Sequence, residues 1–175
     1  PTGSPESGVG GGAILQGYRR LKAHRAELIA TLKAVPVLAS GLAHQMQPRE
    51  TYLEWLRYLA SGDVVLGQNT SGNFGSSVPQ PDYDGTIIAG GKYLSPFAGQ
   101  HACPKLYSIL FTLGEPGRDG DLNAEIAAQL PDMNPDSFTQ LLAYLHRGST
   151  DLLPQVNATV ALQKTWVVSS RERPG

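Results

Sequence analysis

The chain has a single cysteine, Cys103. An internal disulfide and a cysteine-based zinc site are therefore excluded, leaving a free thiol or a bond to a segment outside this chain. An excess of charge of one sign is missing too: fourteen Lys and Arg stand against fifteen Asp and Glu, a formal net charge of −1. That balance gives no global electrostatic reason to expect nucleic acid or an anionic membrane as partner. Long hydrophobic runs are also lacking. The run from Leu106 to Leu113 falls well short of the roughly 18 residues a spanning helix needs, so no membrane span is expected in this chain. The opening Pro-Thr-Gly-Ser-Pro-Glu-Ser carries neither a basic region nor an apolar stretch, and so shows no signal peptide, as an internal fragment would not. His24, His44, His101 and His146 are scattered without metal-ligand spacing and read as surface residues.

What is present suits one α/β domain over residues 1–175. A hydrophobic share of 41% in 175 residues is enough for one real core and too little to expect two. Glycine and proline concentrate in residues 1–12, 67–104 and 114–120, which read as loops. Tyr18, Leu21, Leu28, Ile29, Leu32 and Val35 recur at helical spacing and predict an amphipathic helix ending before Pro36. Tyr52, Trp55, Leu56 and Leu59 predict a second helix with an aromatic face, opened by Pro48 and stopped by Gly62. Residues 67–104 lack periodicity apart from a short apolar piece at Thr86 to Ala89, and read as a long loop insertion.

Leu106 to Thr112, between Pro104 and Gly114, has the continuous apolar character of a central strand buried on both faces. A short helix over Leu122 to Leu130 is expected, then one carrying Phe138, Leu141, Leu142 and Leu145, then a strand with Val160, Leu162, Trp166 and Val168 on one face, interrupted by Lys164. Strand, helix, strand implies a parallel crossover. The expected fold is a mostly parallel sheet flanked by helices, Rossmann-like, with ligand sites beyond the carboxyl ends of the strands. Two strands are few for an open sheet, so an incomplete domain is expected.

Chemical motifs are sparse. Asp119, Asp121 and Asn123 place oxygen-bearing side chains at alternate positions and could begin a calcium loop, but a bidentate Glu at loop position twelve is missing, and a solvated turn with a helix cap is the competing reading. Glu115 and Asp119 could pair as acid and base, although closeness in a loop fixes no separation between carboxylates. A hydrolase or transferase using these loop carboxylates at residues 113–123 is the alternative function. No Gly-x-Ser-x-Gly follows the central strand, and Gly8 to Ala13 lacks the preceding strand that a dinucleotide fingerprint requires. Trp55 and Trp166 read as core residues. Phe74 and Tyr83, in the long loop, are the interaction candidates.

The order Tyr93-Leu94-Ser95-Pro96, Cys103-Pro104-Lys105-Leu106-Tyr107, then Ile109-Leu110-Phe111-Thr112-Leu113-Gly114-Glu115-Pro116 resembles the signature of PilY-type proteins of bacterial type IV pili. In that family a Tyr-x-Ser-Pro element precedes Cys-Gln-Lys-Asn and an apolar strand ending in Thr-Asp-Gly-Glu-Pro. Upstream, Arg49-Glu50 and Glu54-Trp55-Leu56-Arg57-Tyr58-Leu59 are similar to the family's Arg-Glu helix. Downstream, Thr150-Asp151-Leu152-Leu153 and Gln163-Lys164-Thr165-Trp166-Val167-Val168 are similar to its Asp-Leu turn and last strand. The similarity covers about residues 12–170, with motif order as its warrant.

The resemblance implies a von Willebrand factor A-like domain in a larger exported protein at the cell surface, pilus tip or outer membrane. It implies a non-enzymatic role in pilus assembly and surface adhesion. Implied partners are other domains of the same protein, minor pilins or the pilus tip, and a host or abiotic surface. It also implies a bond from Cys103 to a cysteine elsewhere. The family's metal-ion site has no counterpart here: Asp-x-Ser-x-Ser is missing, Met46 stands where a Thr would align, and Leu113 replaces the Asp. Neither side chain offers oxygen to a hard divalent cation, so this site is expected to be degenerate. No cofactor is expected beyond possible calcium.

Overall fold

A computed structural model describes residues 12–35, 48–65, 83–99, 105–112, 123–129, 138–146 and 161–169. The elements are α1 (Leu21–Ala34), α2 (Pro48–Ala60), a 3-10 turn (Gly85–Ile87), β1 (Ile88–Ala89), β2 (Lys92–Tyr93), β3 (Lys105–Thr112), α3 (Asn123–Gln129), α4 (Phe138–Leu145) and β4 (Ala161–Ser169). β3 and β4 pair in parallel, and β1 and β2 form an antiparallel hairpin. The chain is thus a mixed helix and strand fold with a small parallel sheet.

Helix α2 is the centre of the core. Glu50 in its first turn and Arg57 in its last complement the helix dipole. It ends where Ser61 takes a left-handed φ of 58° and the Gly62 amide donates back to the Arg57 carbonyl at 2.8 Å, a Schellman-type closure. Tyr52, Leu53, Leu56, Tyr58 and Leu59 are all buried, joined by Ile87, Tyr93, Phe97, Leu106 and Leu141 from the other elements. Removing each large apolar side chain from water contributes about 1.5–3 kcal/mol.

The region expected to be one long loop is structured between residues 83 and 99. Gly90 and Gly91, with φ of 56° and 76°, make the two-residue turn that joins β1 to β2. The hairpin is extended by an isolated bridge from Asp63 to Lys92 and by the Tyr93 amide donating to the Gly62 carbonyl at 2.9 Å. Tyr93, Ser95 and Phe97 are buried. Exchanging the whole of 67–104 for a flexible linker would therefore remove part of the core.

Three further expectations need correction. First, α1 buries none of its residues, although its apolar spacing predicted packing; Tyr18 precedes it, and His24 leaves helical geometry at φ −119°. Second, β3 is buried on one face only. Leu106 is 2% exposed, whereas Ile109 is 62% and Phe111 72% exposed, the alternation a pleated strand imposes. Third, Trp166 is exposed rather than in the core. The register explains it: Leu162 pairs with Leu106 but Lys164 pairs with Tyr107, so Gln163 is an extra residue in β4. A bulge of this kind changes which residues share a face, and Lys164, Trp166 and Val168 fall opposite the exposed Tyr107, Ile109 and Phe111.

Candidate functional site

Two faces of α2 hold two different layers. Tyr52 and Glu54 are two residues apart, about 200° around the helix, so they point in nearly opposite directions. The Tyr52 hydroxyl lies 2.6 Å from the Ser108 hydroxyl of β3. Glu54 instead faces the hairpin, where its Oε1 accepts from the Tyr93 hydroxyl at 2.7 Å and from the Val65 amide at 3.1 Å. Its other oxygen lies 3.5 Å from Arg57 Nη1, an ion pair longer than a good hydrogen bond. Burial pushes the Tyr93 hydroxyl well above its usual range, and the bond to Glu54 pushes it further the same way. Tyr93 therefore stays protonated and donating. Ser95 completes the junction: its hydroxyl donates to the Leu59 carbonyl and accepts from the Phe97 amide at 3.0 Å.

On the same side, the segment before α1 is fastened to the hairpin by Asp84. Its carboxylate accepts from the Gly17 amide at 2.9 Å, from Arg19 Nη2 at 3.0 Å, and from the amide and hydroxyl of Thr86. Burial disfavours the charged form and is the largest single influence on it. The hydrogen bonds from Thr86 and Gly17, with the Arg19 charge, together outweigh that penalty and hold the carboxyl below its usual range. Gly17 is needed here, because a Cβ would run into Ile87 and lie 3.1 Å from the Tyr58 hydroxyl. That hydroxyl in turn accepts from the Tyr18 amide at 2.8 Å.

The sequence candidates are not brought together. Phe74, Asp119 and Asp121 lie outside the described residues, as do Glu115, Met46, Leu113 and Cys103. Tyr83 is half-buried beside Asp84. Asn123 begins α3, and its Oδ1 accepts from Arg49 Nη1 at 2.8 Å. A calcium ion at Asn123 would have to displace that guanidinium, so the residue fits a calcium loop poorly. Among the described residues no group of three or more His, Cys, Asp or Glu could hold a metal ion, and no helix is long and apolar enough to cross a membrane. His24 lies 2.9 Å from Glu27, and His146 lies 3.1 Å from the Thr165 hydroxyl.

What the residue pattern did not announce is the open face of the parallel pair. Tyr107, Ile109 and Phe111 of β3 and Trp166 and Val168 of β4 are all exposed. Tyr107 and Trp166 stack with ring centres 6.0 Å apart, and Lys164 sits 5.0 Å over the Trp166 ring. The available signal was the aromatic content at alternate positions of β3, hidden by Leu106 and Leu110 between them. The buried Glu54 and Arg57 were equally hidden, since charge on a helix normally marks the solvated face. Comparison of the chain with family models, with curated proteins and with solved structures returns no match.

Proposed function

We propose that the chain is a non-enzymatic interaction module, a PilY-type von Willebrand factor A-like domain that supports type IV pilus assembly and adhesion from an exported protein at the cell surface. The observation that carries this reading is that two of the segments bearing the resemblance, Tyr93 to Pro96 and Glu54 to Leu59, meet in space. Tyr93 and Ser95 of the Tyr-x-Ser-Pro element bond Glu54 and the Leu59 carbonyl of the Glu54-to-Leu59 helix. Motif residues with structural duties at one junction are what a shared fold requires. The parallel pairing of β3 with β4 across α3 and α4 is in keeping with it.

Chemistry at the described residues favours holding over turnover. Glu54 is fully buried and already occupied by hydrogen-bond donors, which suits positioning rather than proton exchange with a substrate. The metal site is read as degenerate because Met46 and Leu113 offer no oxygen. The alternative, a hydrolase or transferase using Glu115, Asp119 or Asp121, rests on carboxylates that lie outside the described residues. The test is an in-frame replacement of this region in the full-length gene, with surface piliation and adhesion as readouts. Loss of either with the rest of the protein still exported is expected; normal pili and normal adhesion would overturn the reading.

A further inference from the structure

The segment at residues 12–20, ahead of α1, has no regular secondary structure and lies across α2 and the hairpin as a strap. Its contacts are those of a docked peptide. The Ile14 carbonyl accepts from the Asp84 amide at 2.7 Å, the Gly17 amide donates to the Asp84 carboxylate at 2.9 Å, and the Tyr18 amide donates to the Tyr58 hydroxyl at 2.8 Å. Arg19 Nη2 donates to Asp84 and, at 2.8 Å, to the Thr86 hydroxyl. The Tyr18 ring lies against Tyr58 and Phe97, with ring centres 6.0 and 6.1 Å apart. In peptide recognition, main-chain bonds of this kind supply affinity and side-chain pockets supply selectivity.

The seat under the strap is built without it. Its two walls, α2 and the hairpin segment, are joined to each other by the Tyr93 hydroxyl on Glu54, the Ser95 hydroxyl on the Leu59 carbonyl and the Tyr93 amide on the Gly62 carbonyl. Asp84 is aimed by the Thr86 amide of the 3-10 turn that it caps, and the Tyr58 ring is braced edge-on by Tyr93. A receptor already in its bound shape loses little on binding. Beyond the strap, α1 buries none of its residues, so no core packing of that helix opposes the strap's release.

One atom fits the seat badly. Gln16 Oε1 is buried and has no hydrogen-bond partner among the described residues, which weakens docking relative to an apolar side chain of similar size. The chain's own strap is therefore not the best occupant. We propose that the seat between α2 and the hairpin is a docking site for a peptide segment of a partner protein, kept shut by the strap. It recognises a glycine followed by an aromatic residue and an arginine, with an aliphatic residue three places before the glycine. Glycine is required because a Cβ at position 17 would run into Ile87 and crowd the Tyr58 hydroxyl. The arginine answers Asp84 and Thr86, and the aromatic ring answers Tyr58 and Phe97. The inference is independent of any role in pili.

Fluorescence anisotropy of a labelled peptide of residues 12–20, titrated with the 175-residue chain, tests this, with circular dichroism to confirm that each chain variant is folded. The wild type should bind weakly, because its own strap occupies the seat most of the time. Gly17→Val in the chain should evict the strap and tighten binding of the unchanged peptide by about 10-fold or more. Arg19→Ala in the chain, an exposed change, should tighten it by about 3-fold and decides the matter if the Gly17→Val chain does not fold. Adding Asp84→Asn to the strap-weakened chain should lower affinity again by about 10-fold. In the peptide, Gly17→Val should abolish binding, and Gln16→Leu should strengthen it by about 5-fold or more. Strap-weakened chains that bind the peptide no better than the wild type would overturn the proposal, as would binding indifferent to Asp84→Asn or to Gly17→Val in the peptide.

Discussion

At the scale of single residues, the polar contacts that matter are those that fasten other elements to α2. Glu54 is buried with no exposure, so its stability depends on the donors around it. Tyr93→Phe removes one of them while leaving the ring in place, and is expected to cost about 1–3 kcal/mol. Urea denaturation reads this directly, and an unchanged midpoint would mean that the hydroxyl holds nothing. Asp84 gives the fold an acid dependence of definite sign. Its folded pKa is lowered, so its contribution is present above the unfolded aspartate value of about 3.9 and disappears as pH falls through the lower folded value. Asp84→Asn should therefore be less stable at neutral pH and lose less on acidification below about pH 4. Parallel acid titrations for variant and wild type would contradict this.

At the scale of elements, β3 separates burial from exposure within one strand. Leu106→Ala should cost about 2–5 kcal/mol by opening a cavity, because Leu106 is 2% exposed. Ile109→Asp, which a strand buried on both faces would not tolerate, should stay within about 1 kcal/mol when measured in dilute solution. Equal losses for the two would restore burial on both faces. The elements themselves were legible in the residues: α2 opens at Pro48 and closes at Gly62 as local capping chemistry dictates, and β3 and β4 stand within a residue or so of their apolar runs. Facing was not legible. Whether Trp166 points inward depends on the bulge at Gln163, and whether α1 is covered depends on what lies beside it, neither of which is written in local periodicity. The hairpin at 88–93 escaped because its strands are two residues each, too short to show alternation, although Gly90-Gly91 was a turn signal. Of the candidate site, Asn123 turned out to bind Arg49, and the carboxylates expected to join it lie outside the described residues.

At the scale of the whole molecule, α2 is the wall shared by two layers. The parallel sheet meets it on one face through Tyr52 and Ser108; the hairpin and Tyr18 meet it on the other through Glu54 and Tyr58. Among the described residues nothing comparable holds α1, which follows the Asp84 and Tyr58 anchors with its apolar residues exposed. Cooperative stability should therefore be graded outward from α2. Native-state hydrogen exchange in dilute solution measures that gradient residue by residue. The amides of α2 from Leu53 to Ala60 should exchange slowest, close to the rate of global unfolding, with the Tyr93 and Leu94 amides protected beside them and α1 exchanging fastest among the helices. Exchange through α2 as fast as through α1 would contradict an α2-centred fold, and with it the junction on which the functional reading rests.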